Sequence, residues 1–256
     1  FLIPTVERVL GRVRVEKQLG EERAARAEAE AAKRAMAEED RRKDEFLAML
    51  AHELRNPLSA ISSAVQLARV DPSPEQVSWA HEVIGRQVGN LSHLIEDLLD
   101  VSRIRLGKVR LRKTTLDAAE VVARSVETVR PQMEAKSHRL EVSVASGPLT
   151  VEADPTRLEQ ILVNLLTNAA KYTDEGGDIR LSAAREDGQV VLRVRDSGVG
   201  ISAEMLPKIF DMFIQVEGSL DRSQGGLGIG LTLVRSLVAL HGGTIHVASE
   251  GPGAGS

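Results

Sequence analysis

From Leu47 onward the apolar positions of this chain fall into a regular step. Leu47, Leu50, Leu54, Leu58, Ile61, Val65 and Ala68 are separated by 3, 4, 4, 3, 4 and 3 residues, an average of 3.5, which marks a heptad seam on a helix. Two prolines in DPSPEQ predict a turn. A second helix then carries Val77, Ala80, Ile84, Val88, Leu91, Ile95, Leu98 and Val101. One hairpin buries a single seam, so pairing with a second copy into a dimeric four-helix bundle completes the burial.

The pattern differs on either side of this hairpin. Residues 7–45 hold 11 acidic and 11 basic side chains among alanines, with no proline, which predicts a long helix with charges paired at i,i+4. Its seam (Val6, Leu10 and Val13, then Ala24, Ala27 and Ala31) is only partly apolar. A solvated spacer and a weak signalling coiled coil both fit it. Past residue 112 an amphipathic helix is expected around 117–136, and RLEVSV and LTVEA read as strands. Residues 155–171 form a helix. IRLSAAR and VVLRVRD are strands joined by EDGQ, IGLTLVRSLVALH is a helix, and GGTIHVAS reads as a closing strand. Helices with a mostly antiparallel sheet predict an α+β two-layer sandwich. The expected domains are 1–45, a charged helical linker; 46–112, the hairpin; and 113–256, the sandwich.

Composition narrows the classes. At 42% hydrophobic and 27% charged residues, the chain reads as globular. A net charge of −4 and 2% aromatics give no basis for nucleic-acid binding. Cysteine is absent, which excludes thiolate chemistry. No apolar run approaches the roughly 20 residues of a membrane-spanning helix, so no membrane contact is expected of this segment. Beginning at Phe1 and ending in GPGAGS, it reads as a fragment with further domains expected upstream.

His52 lies two residues from both Leu50 and Leu54, about 200° from the seam on a helix, so it projects from the opposite side. An exposed neutral imidazole with a reference pKa of about 6.5 is a nucleophile at neutral pH. Glu53 is placed to hold its tautomer and take its proton. Pro57 removes the N–H that would bond the carbonyl of Glu53, which weakens the helix beside the histidine.

Four features of the second domain carry chemistry. Asn164, Asn168 and Lys171 fall at i, i+4 and i+7 on one helix face, with Leu158, Leu162, Leu165 and Ala169 serving the core. Two amides and a lysine there suit Mg²⁺ and phosphate. Val190, Leu192, Val194 and Asp196 share a strand face by the period of two. This points the carboxylate of DSGVG inward, where an adenine amino group is a fitting donor. In GGLGIGL, Gly225, Gly226, Gly228 and Gly230 stand at a helix start, where free N–H groups bind phosphate. The polar segment from Asp211 to Gly228, with its one arginine, has the composition of a lid, and Phe210 just before it and Phe213 near its start read as core.

These stretches together resemble the sensor histidine kinases of two-component systems. FLAMLAHELRNPLSAI is similar to their H box, ILVNLLTNAAKYT to the N box, DSGVG to the first glycine box, IFDMF to the F box and GGLGIGL to the second glycine box, all in family order. The resemblance implies a histidine-phosphotransfer hairpin followed by a Bergerat-type ATP-binding domain. It implies that His52 accepts a phosphoryl group from Mg-ATP, with Glu53 as acid/base partner and Asn56 tuning phosphatase activity. Asn168 with Asn164 would hold Mg²⁺, Lys171 would touch phosphate, and Tyr172 would lie by the nucleotide. Asp196 would read adenine, with Gly198 and Gly200 shaping its turn. Gly226, Gly228, Gly230, Leu231 and Arg222 would shape the lid. The implied partners are a second copy, the receiver domain of a response regulator and an upstream sensor domain, in a bacterial cytoplasm. The final strand of the fold is expected to be cut short at Ser256.

Two other classes remain. Gyrase- or chaperone-type ATPases use a glutamate four residues before the Mg²⁺ asparagine, where this chain has Asn164, an amide that cannot take a proton at neutral pH. A catalytically weak dimeric scaffold is the second.

Overall fold

The computed structural model describes residues 3–69, 73–212, 214 and 228–256. Phe213, Arg222, Gly225 and Gly226 lie outside the described residues, as do the side chains of Val6, Leu10, Val13, Ala24 and Ala27. The chain divides into two compact units at the His52–Glu53 junction.

The first unit is helical throughout its described length and belongs to α1 (Ile3–Leu67). Its paired charges are visible at Arg26 and Glu30, 3.3 Å apart at i,i+4. The composition shift at residue 45 is therefore not an element boundary. Pro57 lies inside α1 without ending it. Its ring is buried, so packing offsets the one ladder bond that proline removes.

The second unit begins with the hairpin. α2 (Pro74–Arg105) starts at a capping box: Gln76 N–H donates to Ser73 Oγ (3.3 Å) and Ser73 N–H to Gln76 Oε1 (2.9 Å). SPEQ thus encodes a helix start as well as a turn. Ala64 of α1 packs with Ala80 and Val83 of α2, flanked by Ala68 and Ile84. Leu58, Val65, Val88, Ile95 and Leu99 remain exposed on the single chain. They form an apolar surface the hairpin cannot bury alone.

The sandwich comprises β1 (Thr114–Asp117), α3 (Ala118–Ala135), β2 (Arg139–Val144), β3 (Thr150–Ala153), α4 (Pro155–Tyr172), β4 (Asp178–Glu186), β5 (Gln189–Asp196) and α5 (Gly230–His241). β1 pairs antiparallel with β3. β4 lies between β2, to which it is parallel, and β5, to which it is antiparallel. The β4–β5 turn places Asp187 (φ 48°) and Gly188 (φ 80°) in the left-handed region, as a two-residue hairpin requires. Leu162, Leu166 and Ala170 of α4 and Val121, Val122 and Val129 of α3 pack on Ile179, Leu181 and Ala183 of β4. A fully buried Leu such as Leu162 or Leu166 contributes about 2 kcal/mol.

Two expectations need correction. The core stripe of α4 runs through Leu166, while Leu165 is only half-buried. Steps of four from Leu158 through Leu162 keep that face better than the shorter step to Leu165. Second, GGTIHVAS forms no strand. Ile245, Val247 and Ser249 are half-buried and alternate with exposed Thr244, His246 and Ala248, but no neighbouring edge bonds to them as a ladder. At the end of β5 the backbone partner is Ser256, which accepts from Asp196 N–H (2.9 Å) and donates to Asp196 O (3.3 Å).

Candidate functional site

His52 is exposed on α1, and Asn56 is exposed and Glu53 half-buried beyond it. The other chemistry-bearing residues lie along α4, in the turn after β5 and at the start of α5. α4 is started by Asp154, whose carboxylate accepts from Thr156 N–H (3.1 Å) and Arg157 N–H (3.2 Å), with Pro155 in the first turn. Seventeen residues after Pro155 the helix ends at Tyr172, and Asn164, Asn168, Lys171 and Tyr172 are all half-buried along it. The Lys171 ammonium lies 4.8 Å from the centroid of the Tyr172 ring, a cation–π contact.

The DSGVG turn is fastened to this helix end. Val199 N–H donates to Tyr172 O (3.0 Å). Any side chain at position 198 would put its Cβ 2.3 Å from that same oxygen, so only glycine fits. Asp196 accepts from Gly198 N–H at Oδ1 (2.9 Å) and from the Ser256 hydroxyl at Oδ2 (2.5 Å). Gly200 (φ 69°) would place a Cβ 2.1 Å from Gly251 O. The final turn closes over it with Gly253 N–H on Val199 O (2.7 Å) and Gly255 N–H on Gly198 O (3.1 Å).

The third wall is the start of α5. A Cβ on Gly230 would stand 3.2 Å from Asn164 Oδ1, so the amide face of α4 meets the second glycine box. The N-cap of α5, Ile229, makes no side-chain cap hydrogen bond, and among the described residues its first-turn N–H groups suit an anion. Gly228 (φ 63°) precedes it, and Gly228 and Leu231 are half-buried. Thr232 Oγ1 donates to Phe210 O (2.9 Å), tying α5 to the F box, where Phe210 is half-buried and Ile209 buried. Among the described residues no group of three or more His, Cys, Asp or Glu stands ready for a metal. Two amide oxygens suit Mg²⁺ instead, which takes few protein ligands and completes its shell with water and phosphate. The structure thus brings Gly230 against Asn164 and, about two turns further along α4, joins Tyr172 to the turn of Asp196, Gly198 and Gly200. Arg222 and Gly226 lie outside the described residues.

Four groups were missed from sequence. Ser256 is one, since it pairs with Asp196 across 60 residues. Next, Asp100 of α2 is buried and receives both Arg157 Nη atoms and the Gln160 amide (3.0 Å) from the start of α4. Burial alone would raise the Asp100 carboxyl. The hydrogen bonds from Arg157 and Gln160, with the charges of Arg157 and Arg103, outweigh it and hold the pKa below the usual range. Third, the Asp154 N–H donates to His241 Nε2 (3.0 Å), while His241 Nδ1 donates to Leu237 O (2.8 Å), a network that assigns the tautomer. Fourth, Lys136 and His138 reach the end of α4. A cleft of about 380 Å³ lined by Arg139, Asp178, Arg180, Arg195, Asp196 and Ser197 reaches the Asp196 turn beside the ion pairs of the sheet, but touches neither Asn168 nor Lys171.

Comparison with known proteins identifies the family. Residues 153–256 match the family of histidine kinase-, DNA gyrase B- and HSP90-like ATPases. Residues 42–107 match the His Kinase A phospho-acceptor domain. The chain therefore belongs to the sensor histidine kinases, and its sandwich is an ATP-binding domain. It is 36% identical over 88% of its length to the autoinducer 2 sensor kinase/phosphatase LuxQ of Vibrio cholerae, and covers 27% of that protein. It is 37% identical over 80% of its length to the histidine protein kinase DivJ of Caulobacter vibrioides, and covers 35% of it. The chain thus spans about a third or less of these two relatives. Among solved structures, the Acinetobacter baumannii histidine kinase AdeS superposes with a TM-score of 0.61 at 27% identity, over 78% of this chain and 92% of that one. Full-length ShkA in complex with AMPPNP gives 0.61 at 32% identity, over 82% and 44%.

Proposed function

We propose that the chain is the kinase core of a two-component sensor, in which 46–112 dimerise and carry the acceptor and 113–256 bind ATP. In the reaction, a ring nitrogen of His52 attacks the γ-phosphorus of ATP. The bond to the β-phosphate oxygen breaks, ADP leaves with that electron pair, and the imidazole proton passes to Glu53. The phosphoryl group then moves to an aspartate on a response-regulator receiver domain. Asn168 and Asn164 would hold Mg²⁺, which supplies charge neutralisation at the phosphates. Lys171 and the α5 N-terminus bind the phosphate tail, and Asp196 accepts from the adenine amino group.

The observation that carries this reading is the meeting of the amide face of α4, the Asp196 turn and the uncapped start of α5. Incubation with γ-labelled ATP tests it. Acid-labile label on the protein is the expected result. Release of free phosphate alone points to an ATPase, and neither product points to a scaffold.

Two further outcomes follow. The exposed apolar row predicts a homodimer, and Val88→Glu with Ile95→Glu, both half-exposed on the single chain, should dissociate it by setting charges in the seam. Sedimentation at micromolar concentration reads this directly. Asn56 follows His52 by four residues on α1, one turn on, and its amide can orient a water but cannot act as a base. Asn56→Ala should slow regulator dephosphorylation by about tenfold and autophosphorylation by much less, because positioning counts most where a water must also be placed. Equal losses in the two rates would reduce Asn56 to a helix-supporting role.

A further inference from the structure

The last four carbonyls of a helix lack ordinary onward partners within it, and at α4 every one of them is bonded. Ala169 O accepts from Thr173 N–H and Tyr172 O from Val199 N–H, each at 3.0 Å. The two between are served by side chains from the α3–β2 connection. Lys136 Nζ donates to Ala170 O (3.0 Å) and Lys171 O (3.4 Å). His138 Nε2 lies 3.1 Å from Ala170 O, and because a carbonyl only accepts, Nε2 is the protonated nitrogen. His138 is buried, and its Nδ1 has no hydrogen-bond partner among the described residues. Lys136 is itself held in place as the C-cap of α3, with Gly176 N–H on its carbonyl (2.9 Å).

A lysine in the last turn of a helix commonly turns back to bond the terminal carbonyls, where the helix dipole favours its charge. In α4 that lysine is Lys171, yet its ammonium lies over the Tyr172 ring. The place it would take is filled by Lys136, and a second ammonium there meets like charge.

We propose that Lys136, seated beside His138, is a positioning residue for nucleotide binding. By occupying the Ala170 and Lys171 carbonyls, it keeps the Lys171 ammonium off its own helix end and presents it over Tyr172 to the phosphates. This inference rests on the reading of Lys171 as a phosphate contact.

A double-mutant cycle with a non-hydrolysable ATP analogue, read as Kd by calorimetry, tests it. Lys171→Ala should weaken binding about tenfold, as loss of a charged hydrogen bond does. Lys136→Met should weaken it about fivefold, and the double variant should bind no worse than Lys171→Ala alone. Lys136→Arg, which keeps charge and donors, should restore affinity to within about twofold of the parent. If Lys136→Met does not fold, Lys136→Gln carries the same cycle. Multiplying losses in the double variant would overturn the inference, because Lys136 would then act independently of Lys171. Unchanged affinity with a lowered Tm would also overturn it, leaving a cap and nothing more. No loss from Lys171→Ala would instead overturn the reading beneath it.

Discussion

His52→Gln removes acid-labile label from the protein while nucleotide affinity stays within about twofold. Glutamine keeps a side chain of similar length and polarity but has no nitrogen lone pair able to attack phosphorus at neutral pH. The step is lost outright, and the expected fall in rate is about a thousandfold or more. Affinity is spared because the residues assigned to the nucleotide are drawn from α4, the turn after β5 and the start of α5. The other histidines set the control. His138 and His241 are engaged through their ring nitrogens with Ala170, Leu237 and Asp154, whereas His81, His93 and His246 are exposed. Phosphate mapping of any residual label after His52→Gln would land on one of those three, and that result would displace His52 as the acceptor.

What could be read from the sequence was whatever repeats locally. Ser-Pro-Glu-Gln and Asp154–Pro155 announce helix starts because cap and helix are neighbours in the chain. The β4–β5 hairpin announces itself through Asp187–Gly188. The candidate site was legible for a related reason, since its residues come as short blocks on single elements. What stayed hidden depends on contacts between distant segments. β1 opens on two exposed threonines and ends on the aspartate that caps α3, so no alternation marks it, and it pairs with β3 across the chain. The 244–249 segment has the alternation of a strand without an edge to join. Ser256 reaches Asp196 across 60 residues, and Lys136 reaches Ala170 across 34. Nothing local in either pair signals its partner.

Arg157→Met should destabilise the unit formed by the hairpin and the ATP-binding domain by about 2–3 kcal/mol, at the low end for a broken buried pair because Arg157 is partly exposed. It leaves Asp100, 8% exposed, with the Gln160 amide as its remaining α4 partner and no guanidinium. Asp100→Leu combined with Arg157→Met should recover most of the loss, since removing both charges also removes the desolvation cost. The dependence on pH separates this from simple loss of packing. The folded state holds the Asp100 carboxyl below its usual range. The pair's contribution is therefore present above about pH 4, the unfolded value, and is lost as pH falls below it. One turn away, Asp97 runs the other way. Burial first, then Asp100 and Glu96, push it up to about 6 against the pull of His93. Its contribution is thus lost as pH rises from about 4 to 6, and Asp97→Asn should flatten that limb. Melting curves of the parent and these three variants between pH 3 and 8 give the test: a deficit in Arg157→Met that stays the same at pH 3 and pH 7 would mean that Arg157 acts through packing, not through Asp100.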